Sequence, residues 1–258
     1  MAALAWRRLV FLAIVLLTLG LAGVFGGMVV LMNVRPGFMG MAHFTEEHHR
    51  IHDLTFALLN GTVVVGMLAQ LRAPVRNIAG QLVALIPFVA LLLAVAVTNP
   101  WVLSPPWLIL GASTVLATMF HPAGDPVRSF ALSRVNRGML VLVVVATGPL
   151  LAFAWTNILL QRAGPSDHAL LGHYGYMAAL SFTVIGAGLL AAARPDGWRL
   201  AGWVAGILPS ALAVASLAYP DVDGSIGALW AAAAIAWGLL YIGVVERGRR
   251  KEIRITSR

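Results

Sequence analysis

Apolar residues run along this chain in long blocks separated by short polar segments. Uncharged runs recur at 9–32, 54–71, 78–97, 106–120, 138–160, 168–192, 200–218 and 226–245. About 20 helical residues cross the ~30 Å of a bilayer's hydrocarbon, so the pattern predicts eight transmembrane helices. The third and fourth runs join into one uncharged stretch. Asn99-Pro100 and Pro105-Pro106 divide it, because proline cannot continue a helix without losing a hydrogen bond. The predicted fold is therefore an all-α polytopic membrane protein.

Composition supports that reading. Of 258 residues, 60% are hydrophobic and only 11% charged, too few polar groups to cover a soluble globule. Arg7 and Arg8 precede the first run, which is longer than the apolar core of a signal peptide and lacks a small-residue cleavage site, so a retained helix is expected. There is no cysteine, which excludes disulfides, thiolate metal sites and cysteine nucleophiles. With a cytoplasmic N-terminus and eight alternating spans, fifteen of the eighteen Arg and Lys residues fall on the inner side, leaving Arg35, Arg50 and Arg162 outside. The positive-inside rule thus predicts a plasma or inner membrane protein with both termini cytoplasmic. It also accounts for the net charge of +8 through topology and contact with anionic lipid, so no nucleic-acid partner is expected.

The two halves resemble each other. At an offset of 121, His52 meets His173, Thr62 meets Thr183 and Pro74 meets Pro195; small gaps extend the match to Pro36 with Pro165, Pro87 with Pro209 and Pro100 with Pro220. The predicted unit is four helices, 1–124 and 125–246, followed by a basic tail at 247–258. An even number of helices gives both copies the same orientation and relates them by an axis along the membrane normal. The Gly20 to Gly27 segment is expected to permit close helix packing.

Six of the seven histidines fall in two segments on the predicted outer side. The first holds His43, Glu46, Glu47, His48, His49, Arg50, His52 and Asp53; the second holds Asp167, His168 and His173. His49 and His52, or His48 and His52, share a helix face and could hold one ligand, while Glu46 and Asp53, one turn either side of His49, could orient an imidazole. Met39, Met41 and His43 form an M-x-M-x-H run soft enough for copper(I), with His48 nearby. The alternative for His43 and His48 is a hydrated place at the headgroup level. His121, beside Pro122, is expected to be a plain interfacial residue.

Eight helices in two four-helix units, with Glu46-x-x-His49-Arg50 at the outer start of the second, resemble the haem A synthase family of respiratory-oxidase biogenesis. The resemblance implies that His49 is a haem ligand and that Glu46 takes part in oxidising the haem, with His173, or else His168, as the ligand of the second half. The family's partner histidines on the fourth and eighth helices have no counterpart in 106–120 or 226–245, and its cysteine pair is absent. The motif points to His49 where the repeat points to His52.

Three functions fit these features. The first is a haem-binding membrane protein, with one haem held by His49 or His52 together with His173. The second is a copper-handling or permease-like protein using the outer Met/His/Glu cluster. The third is a structural subunit that packs against other membrane subunits. Whether the chain is an enzyme stays open at this point.

Overall fold

The computed structural model describes residues 2–35, 49–98, 104–124, 135–164 and 166–256. Every regular element in them is helical: α1 (Ala2–Val34), α2 (Arg50–Arg72), α3 (Ile78–Val97), α4 (Pro105–Met119), α5 (Arg137–Arg162), α6 (Asp167–Leu170), α7 (His173–Ala193), α8 (Trp198–Ala218) and α9 (Gly227–Thr256). A short 3-10 turn, Pro74–Arg76, joins α2 to α3. Seven helices among the described residues are long and apolar enough to cross a membrane. The fourth predicted run instead forms the 15-residue α4. At 1.5 Å per residue it is about 22 Å long, short of the hydrocarbon thickness. Pro105 starts it in the first-turn position where a missing N–H costs nothing.

Two other boundaries differ from expectation. The sixth run was expected to be one helix, yet it breaks into α6 and α7 at Gly172, whose φ of 74° lies in the left-handed region. The last helix continues through the basic run to Thr256, so Arg247, Arg249 and Arg250 extend the same cylinder. In the glycine-rich stretch of α1, Gly26 makes a close approach. A Cβ there would lie 2.9 Å from Asn60 Nδ2, whereas Gly20, Gly23 and Gly27 meet nothing within 4 Å among the described residues.

Helices α2, α3, α7 and α8 pack together at the centre; α1 and α4 flank α2 and α3, and α5 and α9 flank α7 and α8. Close approach depends on small residues. A Cβ on Gly66 would lie 2.5 Å from Gly80 O, and one on Gly206 2.7 Å from Gly238 O, so α2 meets α3 and α8 meets α9 backbone to backbone. Outward-facing Leu16, Leu17, Val144, Leu239 and Leu240 give the flanking helices an apolar exterior that suits lipid.

Polar ties connect the helices at both ends. Where α2 begins, Arg50 donates to Asn33 Oδ1 (2.6 Å) and Asn33 Nδ2 donates to Asp53 Oδ2 (2.7 Å), fastening the end of α1. Where α2 ends, Gln81 Nε2 donates to Thr118 Oγ1 (2.7 Å), and the N–H of Ala79 donates to Asp196 O (2.9 Å), linking the α2–α3 and α7–α8 turns. Helix α4 is tied near each of its own ends. Ser104, just before it, accepts from Tyr176 in the first turn of α7, while near its far end Met119 O accepts from Arg7.

Candidate metal centre

Four histidines meet where α2 and α7 begin. His49 and His52 sit three residues apart and share one face of the start of α2. His168 lies in α6 and His173 opens α7. Five residues apart on a continuous helix, these two would point about 140° away from each other. The left-handed Gly172 turns the chain between them, so their Nδ1 atoms lie only 3.2 Å apart. Ser166 assists by capping α6, its Oγ accepting from the N–H of Ala169 at 3.1 Å.

The rings then pack across the boundary between the halves. His49 lies 4.6 Å from His168 and 5.4 Å from His173 between ring centroids; His52 lies 4.6 Å from His168 and 5.1 Å from His173, and His168 and His173 are 5.4 Å apart. His52 and His173 stack with their planes 23° apart. His49 and His52 are 1% exposed and His173 6%, while His168 is half-buried at the rim. The centre is therefore nearly dry. Both residues between which the sequence left a choice, His49 and His52, face the same cluster.

This geometry suits a metal ion. His49, His168 and His173 can each present a ring nitrogen within 4.8 Å of the other two. Four nitrogens about 2.0 Å from a tetrahedral ion lie roughly 3.3 Å from one another, close to the separation at His168 and His173. A haem asks for something else: two imidazoles on opposite faces of a flat macrocycle. Ring separations of 4.6–5.4 Å leave no slot for it between these histidines in the arrangement seen.

Neighbouring polar groups brace the cluster. Gln161, 2% exposed in the last turn of α5, clamps the α6–α7 corner. Its Nε2 donates to Ala169 O (2.6 Å) and its Oε1 accepts from the N–H of Gly175 (3.0 Å). The ring of Tyr174 packs against His52 and His168, and its hydroxyl donates to Asp223 Oδ2 at 3.2 Å. Sequence reasoning passed over Gln161, Tyr174 and Asp223. An amide placed in the last turn of an apolar span was the available signal for Gln161. Asp53 is tied to Asn33 of α1, a different contact from the imidazole-orienting one expected of it. Glu46, Met39, Met41, His43 and His48 lie outside the described residues.

His121 departs from the expected interfacial place. It is fully buried at the opposite end, where its Nδ1 accepts from the N–H of Ala123 (3.3 Å) and its Nε2 lies 3.1 Å from Gln70 Oε1. Because Nδ1 accepts, the proton sits on Nε2 and is donated to Gln70. Phe11 meets the ring edge-on, and burial pushes the His121 pKa down to about 4.

These features define an all-helical protein with seven helices long and apolar enough to cross a membrane and a largely buried histidine cluster where α2 meets α6 and α7. No protein-family model, curated protein or solved structure matches the chain.

Proposed function

We propose that this is an integral membrane protein that handles copper, with His49, His52, His168 and His173 binding one ion at the outer face. The carrying observation is the mutual approach of four imidazoles, two from each half, at centroid separations close to those of a shared ion. An all-nitrogen donor set accepts copper, zinc, nickel or iron. Copper is favoured because Met39 and Met41 offer soft thioethers beside the His43 imidazole, about six to ten residues before His49. In this reading the outer run captures the ion and the buried cluster retains it.

The same reading takes α4 as an eighth span and treats the two halves as parallel repeats. Support comes from the reach of α4 between the Tyr176 and Arg7 ends. It also comes from the packing order, in which α1, α2, α3 and α4 contact one another much as α5, α7, α8 and α9 do. Pro87 and Pro209, paired in the sequence, both lie inside central helices. The fifteen-to-three distribution of basic residues supports an orientation with the histidine end outside and both termini in the cytoplasm.

A second reading is a haem protein related to haem A synthase, in which one histidine of each half ligates the iron and Glu46 assists chemistry on the macrocycle. The E-x-x-H-R match supports it, as does the approach of His49 to His173 across the halves. It requires the cluster to open.

One preparation separates these readings. The full-length protein, produced with copper and haem both supplied, is purified and examined for metal content and absorption. Copper at one ion per chain, lost in His173→Ala and kept in His121→Ala, is the expected result. A haem absorption band that disappears in His49→Ala or His173→Ala would transfer the assignment to the second reading. Protein containing neither group and taking up neither when titrated overturns both and leaves a structural subunit.

A further inference from the structure

The second half contains a cleft of about 600 Å³ that the histidine cluster does not use. It lies between α5, α7, α8 and α9 and is open on one side. Helices α5 and α9 touch at the end away from the histidines, where Trp237 Nε1 donates to Leu142 O at 2.9 Å. Nearer the histidines the cleft separates them. Its lining on α5 extends from Val145 to Leu160, about 22 Å along the helix axis. A space of that length, reached through an apolar exterior, has the shape of a single acyl or prenyl chain.

The lining is graded. Val145, Pro149 and Leu150 make the deep end apolar, whereas Thr156, Asn157 and Ser225 bring polar atoms to the end near the histidines. Asn157 is the informative residue. It is 1% exposed, and its Nδ2 donates to Phe153 O at 2.9 Å, while its Oδ1 has no hydrogen-bond partner among the described residues. A buried amide oxygen left without a donor is costly, and a ligand that supplies one removes that cost. Thr156 cannot supply one, because its hydroxyl donates to Ala152 O.

We propose that this cleft binds a membrane amphiphile consisting of one long apolar chain and a hydroxyl head, with the hydroxyl donating to Asn157 Oδ1 and the chain lying along α5. An ether or a hydrocarbon of the same length fills the apolar part and lacks the donor. The site is independent of the metal reading, since its recognition group and walls include none of the four histidines.

The test uses the full-length protein in nanodiscs and two probes, a mid-chain-brominated stearyl alcohol and its methyl ether. Bromine quenches nearby indoles, and Trp230 and Trp237 both line the cleft. The alcohol should quench at roughly fivefold lower concentration than the ether, as expected for one hydrogen bond to a buried acceptor. Asn157→Leu should bind alcohol and ether alike; retained ether binding shows that this variant folds. Joint replacement of Trp230 and Trp237 by Phe should remove most of the saturable quenching. Equal affinity for the two probes in the wild-type protein overturns the hydroxyl assignment. Quenching that rises without saturation, or that persists in the double Trp variant, overturns the cleft as the site.

Discussion

At one end of the bundle a single imidazole, His121, has each ring nitrogen matched to a named partner, one backbone N–H and one side-chain amide. At the other end four imidazoles pack against one another. His121 at one end and His49, His52 and His173 at the other are all buried, with different consequences. Amide partners fix a neutral tautomer and make His121 part of the scaffold, joining α1, α2 and the end of α4. Four rings in mutual contact concentrate nitrogen lone pairs in one dry place, which suits a cation that accepts several of them together. Burial alone therefore does not separate a structural histidine from a ligand. The identity of the neighbours does.

The comparison breaks most directly by removing a ring from the cluster. His173→Ala should lower copper affinity by about 100-fold or more, roughly 2.7 kcal/mol, whereas His121→Ala should leave metal content unchanged and lower the melting temperature instead. Isothermal titration and thermal unfolding measure the two quantities on the same preparations. Comparable losses of metal in both variants would show that the two ends do not differ as described.

Next in size is the clamp. Gln161→Leu leaves Ala169 O and the N–H of Gly175 without their partner and frees the corner that sets His168 against His173. Metal affinity should fall about 10-fold, the lower end of the usual range for a group that orients ligands. A full retention of affinity would remove Gln161 from the site.

Helix packing supplies a control that affects both ends. Gly66→Val drives a side chain into Gly80 O and Ala84, so stability should drop by about 1–3 kcal/mol while the metal stoichiometry of folded protein holds at one. Unfolding of purified protein in a denaturing detergent series checks this.

A pH series sharpens the contrast in proton terms. The folded-state pKa of His121, about 4, lies below its unfolded value near 6.5. Its contribution is complete above about pH 6.5. As pH falls towards 4 the unfolded chain takes up a proton that the folded chain does not, so stability is lost at up to about 1.4 kcal/mol per pH unit. His121→Phe should flatten the stability profile in that window relative to wild type. Metal binding at the other end should weaken across the same range for a different reason, since protons compete with the ion for imidazole nitrogen. Smallest of all, Asp53→Asn should loosen the Asn33 tie and change metal affinity by about threefold or less.

Much of the helical layout was legible along the chain. The third run, 78–97, coincides with α3, and most other runs end within a few residues of a helix, because charge and proline mark the ends of apolar segments. The fourth run matches a helix too short to be read as a span by length alone. The break in the sixth depends on the left-handed backbone at Gly172, and a glycine in an apolar sequence serves close packing as readily as a turn. At the site, helical spacing was enough to pair His49 with His52. It could not pair His168 with His173, which meet only because the helix is interrupted between them.

The sequence by itself determined that the chain is helical and apolar, and that its histidines gather near the starts of two helices. Those properties follow from local composition and from the short-range geometry of a helix. Only the tertiary structure decided that the two segments meet and that His121 is buried against Gln70. It alone placed Asn157 at the edge of a cleft with no donor to its Oδ1 among the described residues. Contacts between helices depend on which side chains allow close approach, and that information is spread over Gly66, Gly80, Gly206 and their opposite faces rather than contained in any one motif.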